Sequence, residues 1–462
     1  MTEMESQIDN YLNASLDNYI METARLCAQP SVSAKNQGMI ACADLVMQIL
    51  EKHGFHTQKF KTPGNPVIVA RAQGESERTL LFYNHYDVQP PEPLELWTTP
   101  PFEPTIRDGA LYARGAKDDK GEFIARLAAA DAVRNSNDGS LPCNITFVLE
   151  GEEEIGSPHI AQFVRQHIDL LQSDAAIWEE GGIDYEGCPG TSLGRRGILY
   201  VELEVETLKR DAHSGVAHII PNAAWRLLHA LSSLKDKDKI RIPGFYDHAL
   251  PPSRLDIELL EALPDYENWA RETYGVKEFV GGLRGKELNR AIFNSTCNIA
   301  GLNAGYQGEG LKTVIPARAS AKVDFRLVPD QDPEDIFKKL RAHLDREGFT
   351  DVSSKKVGAM WPYKASADDP FVILSSRTAE SVYQRPYRLT PLTGGSSPIY
   401  AFADPLGGIP VISAGVGYAD NRTHSPDEHV RLDDFLKAAR HIARIIDGFA
   451  DLSLTQKRGS LY

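Results

Sequence analysis

The chain has 462 residues, of which 42% are apolar and 25% charged, so its composition is that of an ordinary globular protein and its length predicts two domains. The 50 basic and 64 acidic residues give a net charge of −14, which argues against nucleic acid and anionic membrane as partners. The N-terminal stretch is acidic and carries no basic-then-apolar leader, and no run of about eighteen apolar residues occurs, so we expect a cytoplasmic protein. The five scattered cysteines lack paired metal-knuckle spacing and are expected to be buried thiols in a reducing compartment.

The first part of the chain alternates helical and strand-like patterns. Apolar residues have helical spacing over residues 4–27 and 37–53, and again over residues 122–134. The apolar runs at 67–70 and 80–83 are typical of buried strands. This order predicts an α/β domain.

Metal-ligating side chains follow the strand-like runs. They are His85 and Asp87 after 80–83, the acidic loop 150–154 after 144–149, Glu179 and Glu180 after 175–178, and the loop 424–429 after 409–413. Ligands in open α/β sheets gather where such strands end, so these side chains should converge at one edge. Crowded carboxylates repel one another, and a bound cation is the simplest reason to tolerate them. For His85 alone, the alternative is a strand-end histidine capped by a loop aspartate.

Asp118 and Asp119 stand just before the helical stretch 122–134. Two aspartates at a helix start could cap the helix and favour its dipole. A carboxylate has two oxygens, however, and can bridge two cations, which a dinuclear site requires. Both interpretations remain open on the sequence.

A second domain is predicted from the change of pattern after Gly197. Residues 199–206 alternate strictly between apolar and polar, as in a sheet with one wet face. The predicted elements that follow are a helix at 221–234, strands at 294–300 and 320–328, a helix at 333–346 and a strand at 353–363. Strand, helix, two strands, helix, strand is the order of a ferredoxin-like sandwich.

The last part of the chain returns to the first pattern. A helical pattern resumes near Asp369, a buried strand is predicted within 407–417, and an amphipathic helix at 432–446. We therefore predict a first domain formed by residues 1–198 and 367–462, with residues 199–366 inserted into it.

Five segments carry a resemblance to a known family. They are 84–90 (NHYDVQP), 113–121 (ARGAKDDKG), 150–157 (EGEEEIGS), 210–215 (RDAHSG) and 242–247 (IPGFYD). In this order they resemble the co-catalytic zinc hydrolases that include carnosinases, aminoacylases and succinyl-diaminopimelate desuccinylases, and the last segment favours the carnosinase-like dipeptidases. The resemblance implies a zinc-exopeptidase-type α/β catalytic domain of three layers with a mostly parallel central sheet. It also implies an inserted ferredoxin-like α+β domain that serves as lid and dimerisation domain.

The resemblance also implies roles at a dinuclear metal site. Asp118 would bridge two metals, with His85 and Glu180 on one metal and Glu154 and His424 on the other. Glu153 would be the general base, and Asp87 would orient His85. Nitrogen and oxygen ligands without thiolate favour zinc, with manganese or cobalt as alternatives.

One departure from the family concerns Glu179 and Glu180. Carnosinase-like members usually have Ser-Asp at this position, whereas a glutamate ligand is more like the deacylase and desuccinylase branches. Glu179 therefore remains a rival to Glu180 as the ligand.

Further residues are implied to act on the substrate. His213 would polarise the scissile carbonyl from the neighbouring subunit of a dimer, near Asn222 and Thr313, and Arg326 and Ser396 would hold a substrate carboxylate. Strand alternation over 320–328 independently places Arg326 on the polar face. The alternatives are a surface histidine at His213, and a surface arginine at Arg326 that is paired with Asp324 or Glu202.

Three functional hypotheses follow. The first is a di-zinc dipeptidase that acts on short peptides with a free C-terminal carboxylate. The second is an N-acyl-amino-acid deacylase with the same metals and base. The third is a non-catalytic protein that binds metal or amino-acid derivatives, and Glu153 argues against it because a binding module needs no general base.

Overall fold

The computed structural model describes residues 2–264 and 266–452. These residues form two compact units. Of the described residues, unit 1 comprises 2–193, 365–389 and 401–452, and unit 2 comprises 194–264, 266–364 and 390–400. The predicted borders at 198/199 and 366/367 lie close to two of these borders, but the predicted scheme placed residues 390–400 in the first domain.

The helices and strands are as follows. The helices are α1 (Glu3–Ala28), α2 (Met39–Lys52), α3 (Lys120–Ser136), α4 (Ile160–Gln166), α5 (Ile168–Leu171), α6 (Ala223–Leu234), α7 (Arg254–Ala262), α8 (Glu267–Tyr274), α9 (Lys286–Arg290), α10 (Pro333–Arg346), α11 (Pro370–Tyr383), α12 (Tyr400–Ala403) and α13 (Leu432–Phe449). The strands are β1 (His56–Phe60), β2 (Val67–Ala72), β3 (Thr79–His85), β4 (Thr105–Arg107), β5 (Ala110–Tyr112), β6 (Asn144–Glu150), β7 (Ala175–Trp178), β8 (Gly182–Ile183), β9 (Pro189–Ser192), β10 (Gly194–Arg195), β11 (Gly197–Glu206), β12 (Ala212–His213), β13 (Lys235–Asp236), β14 (Lys239–Ile240), β15 (Thr296–Ala304), β16 (Val314–Ile315), β17 (Arg318–Leu327), β18 (Ser353–Met360), β19 (Tyr363–Lys364), β20 (Arg388–Thr390), β21 (Val411–Ser413) and β22 (His429–Arg431).

The central sheet of unit 1 has the strand order β1-β2-β6-β3-β7-β21. Strands β6, β3, β7 and β21 run parallel to one another, and β2 and β1 add antiparallel pairs at one side. Strands β3, β6 and β7 are buried almost throughout, which explains why they read as continuous apolar runs rather than as alternating ones. The predicted mostly parallel sheet is confirmed.

Unit 2 contains an antiparallel sheet of order β15-β17-β11-β18, with α6 and α10 packed on it. In β11 and β17 alternate residues are buried, so one face of each strand forms the core of the unit. The chain order β11, α6, β15, β17, α10, β18 is the predicted ferredoxin-like order, which is confirmed. Helices α7, α8 and α9 lie in the polar segment before Phe293 and were not predicted, because few of their residues are buried.

All five cysteines are free; four of them are buried, and Cys297 is partly exposed. Over residues 2–264 and 266–452, no helix combines the length and the apolar character that crossing a bilayer requires.

His53 lies in a buried group of charges that joins α1, the end of α2 and α3. Its Nε2 is 2.7 Å from Glu22 Oε2, and its Nδ1 hydrogen-bonds to Asp131, which also accepts a hydrogen bond of 2.9 Å from Tyr19. Burial alone would lower the pKa of His53, but the hydrogen bonds to Asp131 and Glu22 outweigh it and raise the pKa to about 9. The imidazole is therefore charged over most of the neutral range.

We expect this group to make stability depend on pH. The folded protein holds the proton on His53 more tightly than the unfolded chain does. The stabilisation, about 3 kcal/mol at most, is therefore complete below pH ~6.5 and disappears as the pH rises through about 9. The melting temperatures of the parent and of His53→Gln should differ most near pH 6 and converge by pH ~9.5. A difference that stays constant across this range would contradict the assignment.

Candidate functional site

Three parallel strands of unit 1 end side by side. His85 ends β3 and is level with Glu150 at the end of β6, while β7 runs beside β3 and ends at Trp178, directly before Glu179. The loop after β6 continues into a short 3₁₀ turn at Glu153–Ile155. The sheet thus brings His85, the loop that carries Glu153 and Glu154, and Glu179 to one edge, as the pattern of polar residues after strands predicted.

Asp118 stands between two histidines. Its Oδ1 is 3.0 Å from Nε2 of His85, and its Oδ2 is 3.2 Å from Nε2 of His424. Each histidine also faces a glutamate: Glu179 Oε2 is 3.5 Å from His85 Nε2, and Glu154 Oε2 is 3.2 Å from His424 Nε2. The result is two groups, each with one imidazole and one glutamate, that share the two oxygens of a single aspartate.

This arrangement fits two metal ions. The atoms of Asp118, Glu154 and His424 lie within 4.8 Å of one another, and so do those of His85, Asp119 and Glu179. Glu179 Oε2 and Asp119 Oδ1 are buried without a hydrogen-bond partner. An unpaired buried carboxylate oxygen is costly, and a cation at this position would remove the cost.

The charges of the two groups also favour cations. Hydrogen bonds to Asp118 and Glu154 raise the pKa of His424 to about 10. Burial opposes protonation of His85, yet its contacts with Asp118 and Asp87 raise its pKa well above the usual value. Burial and repulsion from Glu153 raise the pKa of Glu179 well above its usual range. These shifts show that carboxylates are crowded around the two imidazoles, and a bound cation would relieve their mutual repulsion.

Glu179 and Glu180 have different surroundings. Glu179 is buried, and one of its oxygens, Oε1, accepts a hydrogen bond of 3.2 Å from the indole of Trp178. Glu180 is exposed, with a backbone φ of 70°. Of the two glutamates, Glu179 is the one that faces His85, whereas the sequence had favoured Glu180 as the ligand.

Asp119 does not cap the helix that follows it. Its side chain makes no capping hydrogen bond to α3. Instead, Oδ2 accepts hydrogen bonds from Asn84 Nδ2 at 2.6 Å and from the backbone N–H of His85 at 3.0 Å. Asp119 therefore fixes the end of β3 and with it the backbone of the site residue His85.

Asp87 contacts both His85 and the glutamate loop. The Nδ1–H of His85 donates to the backbone oxygen of Asp87 at 3.0 Å, and the carboxylate of Asp87 lies 3.4 Å from the same nitrogen. The two carboxylate oxygens also accept the backbone N–H groups of Glu153 and Glu154, at 3.2 and 3.1 Å. Because Nδ1 is held by Asp87, Nε2 of His85 is the nitrogen that would give its lone pair to a metal ion, after it loses the proton that it shares with Asp118 in this structure.

Glu153 stands beside the two groups without the close histidine contact that Glu154 has. Burial raises the pKa of Glu153 to about 7, an effect that His85 opposes and that Glu154 and Asp118 reinforce. A carboxylate with such a pKa can both accept and release a proton near neutrality. Its backbone is fixed by Asp87, which limits where the carboxylate can reach.

Glu428 is a residue of the site that the sequence did not single out. It is fully buried, and its Oε1 accepts the backbone N–H groups of Lys117 and Asp118, both at 3.0 Å. Its Oε2 pairs with the buried Arg114 at 2.6 Å. Glu428 thereby ties the loop of His424 to the backbone of Asp118, and only the repeated acidic character of the loop 424–429 could have hinted at it.

His213 and Thr313 lie together in unit 2. Pairing of β12 with β16 brings the two segments side by side, and Thr313 Oγ1 is 3.3 Å from His213 Nε2. His213 is exposed, and its Nδ1 accepts the N–H of Gly215 at 3.0 Å, so its Nε2 carries the proton. Asn222 caps α6 by accepting the N–H of Ala224 at 2.8 Å.

Arg326 and Ser396 also lie together in unit 2. Nη1 of Arg326 donates to Ser396 Oγ at 2.9 Å. The acidic neighbour Asp324 accepts a hydrogen bond of 2.8 Å from Asn298 instead. The pairing of Arg326 with Asp324 or Glu202, which the sequence left open, is not found.

Comparisons with known proteins were made for the whole chain. The family model Peptidase family M20/M25/M40 matches residues 81–448. The chain is 29% identical to a Beta-Ala-His dipeptidase of Mus musculus, over 82% of this chain and 79% of that protein. It is 26% identical to a Cys-Gly metallodipeptidase of Schizosaccharomyces pombe, over 95% and 96%.

The fold also matches a solved structure. The M20 family metallo-carboxypeptidase Sso-CP2 from Sulfolobus solfataricus superposes with a TM-score of 0.84 and 34% identity, over 94% of this chain and 99% of that one. The predicted resemblance and the prediction of a metal-dependent peptidase are confirmed by these matches. The chain belongs to the peptidase family M20/M25/M40.

Proposed function

We propose that this metallopeptidase cleaves dipeptides or short peptides that have a free C-terminal carboxylate. The observation that carries the proposal is the sharing of the Asp118 oxygens between His85 and His424, with Glu153 beside them. The relatives named as dipeptidases and the neighbour named as a carboxypeptidase support this choice of substrate.

The donor set suits two zinc ions, with manganese or cobalt as alternatives. His85 and Glu179 would hold one ion, His424 and Glu154 the other, and Asp118 would bind both. We propose Glu179 in place of Glu180 because it is the buried glutamate beside His85. When bound, the two ions would polarise the scissile carbonyl and make a water acidic enough to act as nucleophile near neutral pH.

The residues of the chain divide the remaining work. Glu153 accepts the proton of the attacking water and delivers it to the amine that leaves. Asp87 positions both a metal ligand and the general base, since it orients the ring of His85 and holds the backbone of Glu153. In unit 2, the Nε2–H of His213 faces Thr313 Oγ1 at 3.3 Å, and in the reaction it would donate to the developing oxyanion instead. The sequence-based assignment places Thr313 and Asn222 beside it.

Arg326 would bind the substrate carboxylate. One of its N–H groups donates to Ser396, and no carboxylate of the described residues forms an ion pair with it. A planar guanidinium can grip a carboxylate through two parallel hydrogen bonds. This feature favours a peptide or an N-acyl amino acid with a carboxylate next to the scissile amide.

Side-by-side assays would test the proposed substrate. We expect dipeptides to be hydrolysed with a higher kcat/KM than N-acetyl or N-succinyl amino acids, and the C-terminal amides of the same dipeptides to be poor substrates. Arg326→Ala should lower kcat/KM for free dipeptides, and we expect the loss of transition-state stabilisation to be about 2 to 5 kcal/mol. The kcat/KM for the amides should change far less. Arg318→Ala, on the exposed side of the same strand, is the control.

Other outcomes would support the rival functions. Faster hydrolysis of N-acyl amino acids would identify a deacylase. Metal binding without hydrolysis of any of these compounds would favour a binding protein. Equal cleavage of free and amidated dipeptides by the parent would remove Arg326 as the determinant of specificity.

We also propose a homodimer that forms through unit 2. Strand β15 lies at the edge of the sheet, and its Ile299 and Leu302 are each 51% exposed. Trp225 on α6, which packs beside β15, is 63% exposed. An apolar sheet edge next to an apolar helix face is a surface that a second copy of the chain can cover.

In this dimer His213 of each subunit would complete the site of the other. We expect His213→Ala to lower kcat more than it changes KM, because its hydrogen bond would form with the oxyanion of the transition state. Mixing His213→Ala with Glu153→Gln subunits should restore roughly a quarter of the parent's activity, since half of the dimers would carry one intact composite site. Confirmed subunit exchange without recovery would count against the shared site.

We propose a cytoplasmic location as well. All five cysteines are free thiols, which is the usual state in a reducing compartment. Separation of cell extracts and thiol labelling of the native protein would test it.

A further inference from the structure

Arg196 is a buried cation at the start of the ferredoxin-like unit. Only 7% of it is exposed, and its Nη2 donates to two backbone carbonyls, Asn294 O at 2.7 Å and Arg326 O at 3.1 Å. Its backbone N–H points to Gly395 O at 3.0 Å and to Thr393 O at 3.3 Å. One residue therefore holds the end of β17, the segment before β15 and the returning segment 390–400.

The hydroxyl of Ser396 is fully used within this arrangement. It donates its one proton to the backbone oxygen of Arg196 at 2.6 Å and accepts an N–H of Arg326 at 2.9 Å. A hydroxyl has a single proton, so Ser396 has none left for a substrate carboxylate. Ser396 thus orients Arg326 rather than binding a carboxylate itself.

The two guanidinium groups form no ion pair with the nearby Asp324, which accepts a hydrogen bond from Asn298 instead. Among the ion pairs of residues 2–264 and 266–452, none includes Arg196 or Arg326, and Arg196 Nε is buried without a hydrogen-bond partner. Burial and the neighbouring charge of Arg326 lower the pKa of Arg196 to about 10. Two neighbouring cations, neither of them in an ion pair, form a place where an anion is stabilised.

We propose that Arg196 is the positioning residue of the substrate-carboxylate subsite. It fixes the backbone of Arg326 and, through its own carbonyl, the hydroxyl of Ser396. The preference for a free carboxylate over an amide then depends on Arg196 without direct contact with the substrate. The inference rests on the proposed function, in which Arg326 binds the C-terminal carboxylate.

The test is the selectivity ratio, defined as kcat/KM for a dipeptide divided by kcat/KM for its C-terminal amide. Arg196→Lys keeps the charge but lacks the planar fork that reaches two carbonyls. We expect the ratio to fall about tenfold or more, mainly through a higher KM for the free dipeptide. The control Arg318→Lys, on exposed β17 surface, should keep the parent's ratio.

A double variant separates positioning from a general loss of structure. If Arg196 acts through Arg326, Arg196→Lys combined with Arg326→Lys should reduce the ratio no further than Arg326→Lys alone. Losses that multiply would overturn the proposal, and so would an unchanged ratio in Arg196→Lys.

A second variant covers the case in which Arg196→Lys does not fold. Ser396→Ala removes the link to Arg326 without disturbing the buried cation, and it should lower the ratio in the same direction. If folded Ser396→Ala has the same selectivity ratio as the parent, the proposal is overturned. A parent enzyme that does not discriminate between acid and amide would instead refute the proposed carboxylate recognition, so the two failures are distinguishable.

Discussion

Glu153→Gln should bind metal as the parent does and lose about 100- to 10,000-fold in kcat. The amide has nearly the same shape as the carboxylate but cannot accept the proton of the attacking water. The backbone of residue 153 remains held by Asp87, so the fold and the metal ligands should be preserved. Steady-state kinetics together with metal analysis of the same preparation would measure both quantities.

The adjacent Glu152 provides a matched control. It is buried and lies 2.6 Å from His159 Nδ1, away from the paired histidines of the site. Glu152→Gln changes the same group one residue away and should retain most of the activity. Near-parental turnover of metal-loaded Glu153→Gln would show that Glu153 is not the general base.

Asp118→Ala should lose both metal ions, because its two oxygens face the two histidines of the site. Glu179→Gln should lose one ion or bind it much more weakly, since Glu179 faces only one of the two site histidines, His85. Glu180→Gln should retain both ions, because its side chain is exposed. Elemental analysis after dialysis against a weak chelator would give the metal content of each variant.

The fold of each variant has to be checked separately by circular dichroism and thermal unfolding. Two tightly bound metal ions per chain in folded Asp118→Ala would contradict the bridging role of Asp118. Loss of metal in Glu180→Gln, with retention in Glu179→Gln, would return the ligand assignment to Glu180.

The sequence by itself determined the classes of element and the neighbourhood of the site. Buried parallel strands require continuous apolar runs, and a sheet with one wet face requires alternation, so both units could be predicted from their patterns. Polar residues after strands had to meet at one edge, because parallel strands end on the same side. The family motifs then added roles that no periodicity could supply.

Only the tertiary structure decided which side chains face one another. Glu179 and Glu180 are adjacent residues of the same type, so the sequence does not distinguish them. In the structure the side chain of Glu179 is buried and that of Glu180 is exposed. Segment 390–400 joins unit 2 through backbone hydrogen bonds to Gly194 and Arg196, which do not depend on side-chain pattern. Glu428 binds the backbone of Asp118, 310 residues earlier in the chain. Such contacts join parts of the chain that are distant in sequence, and local preferences carry no information about them.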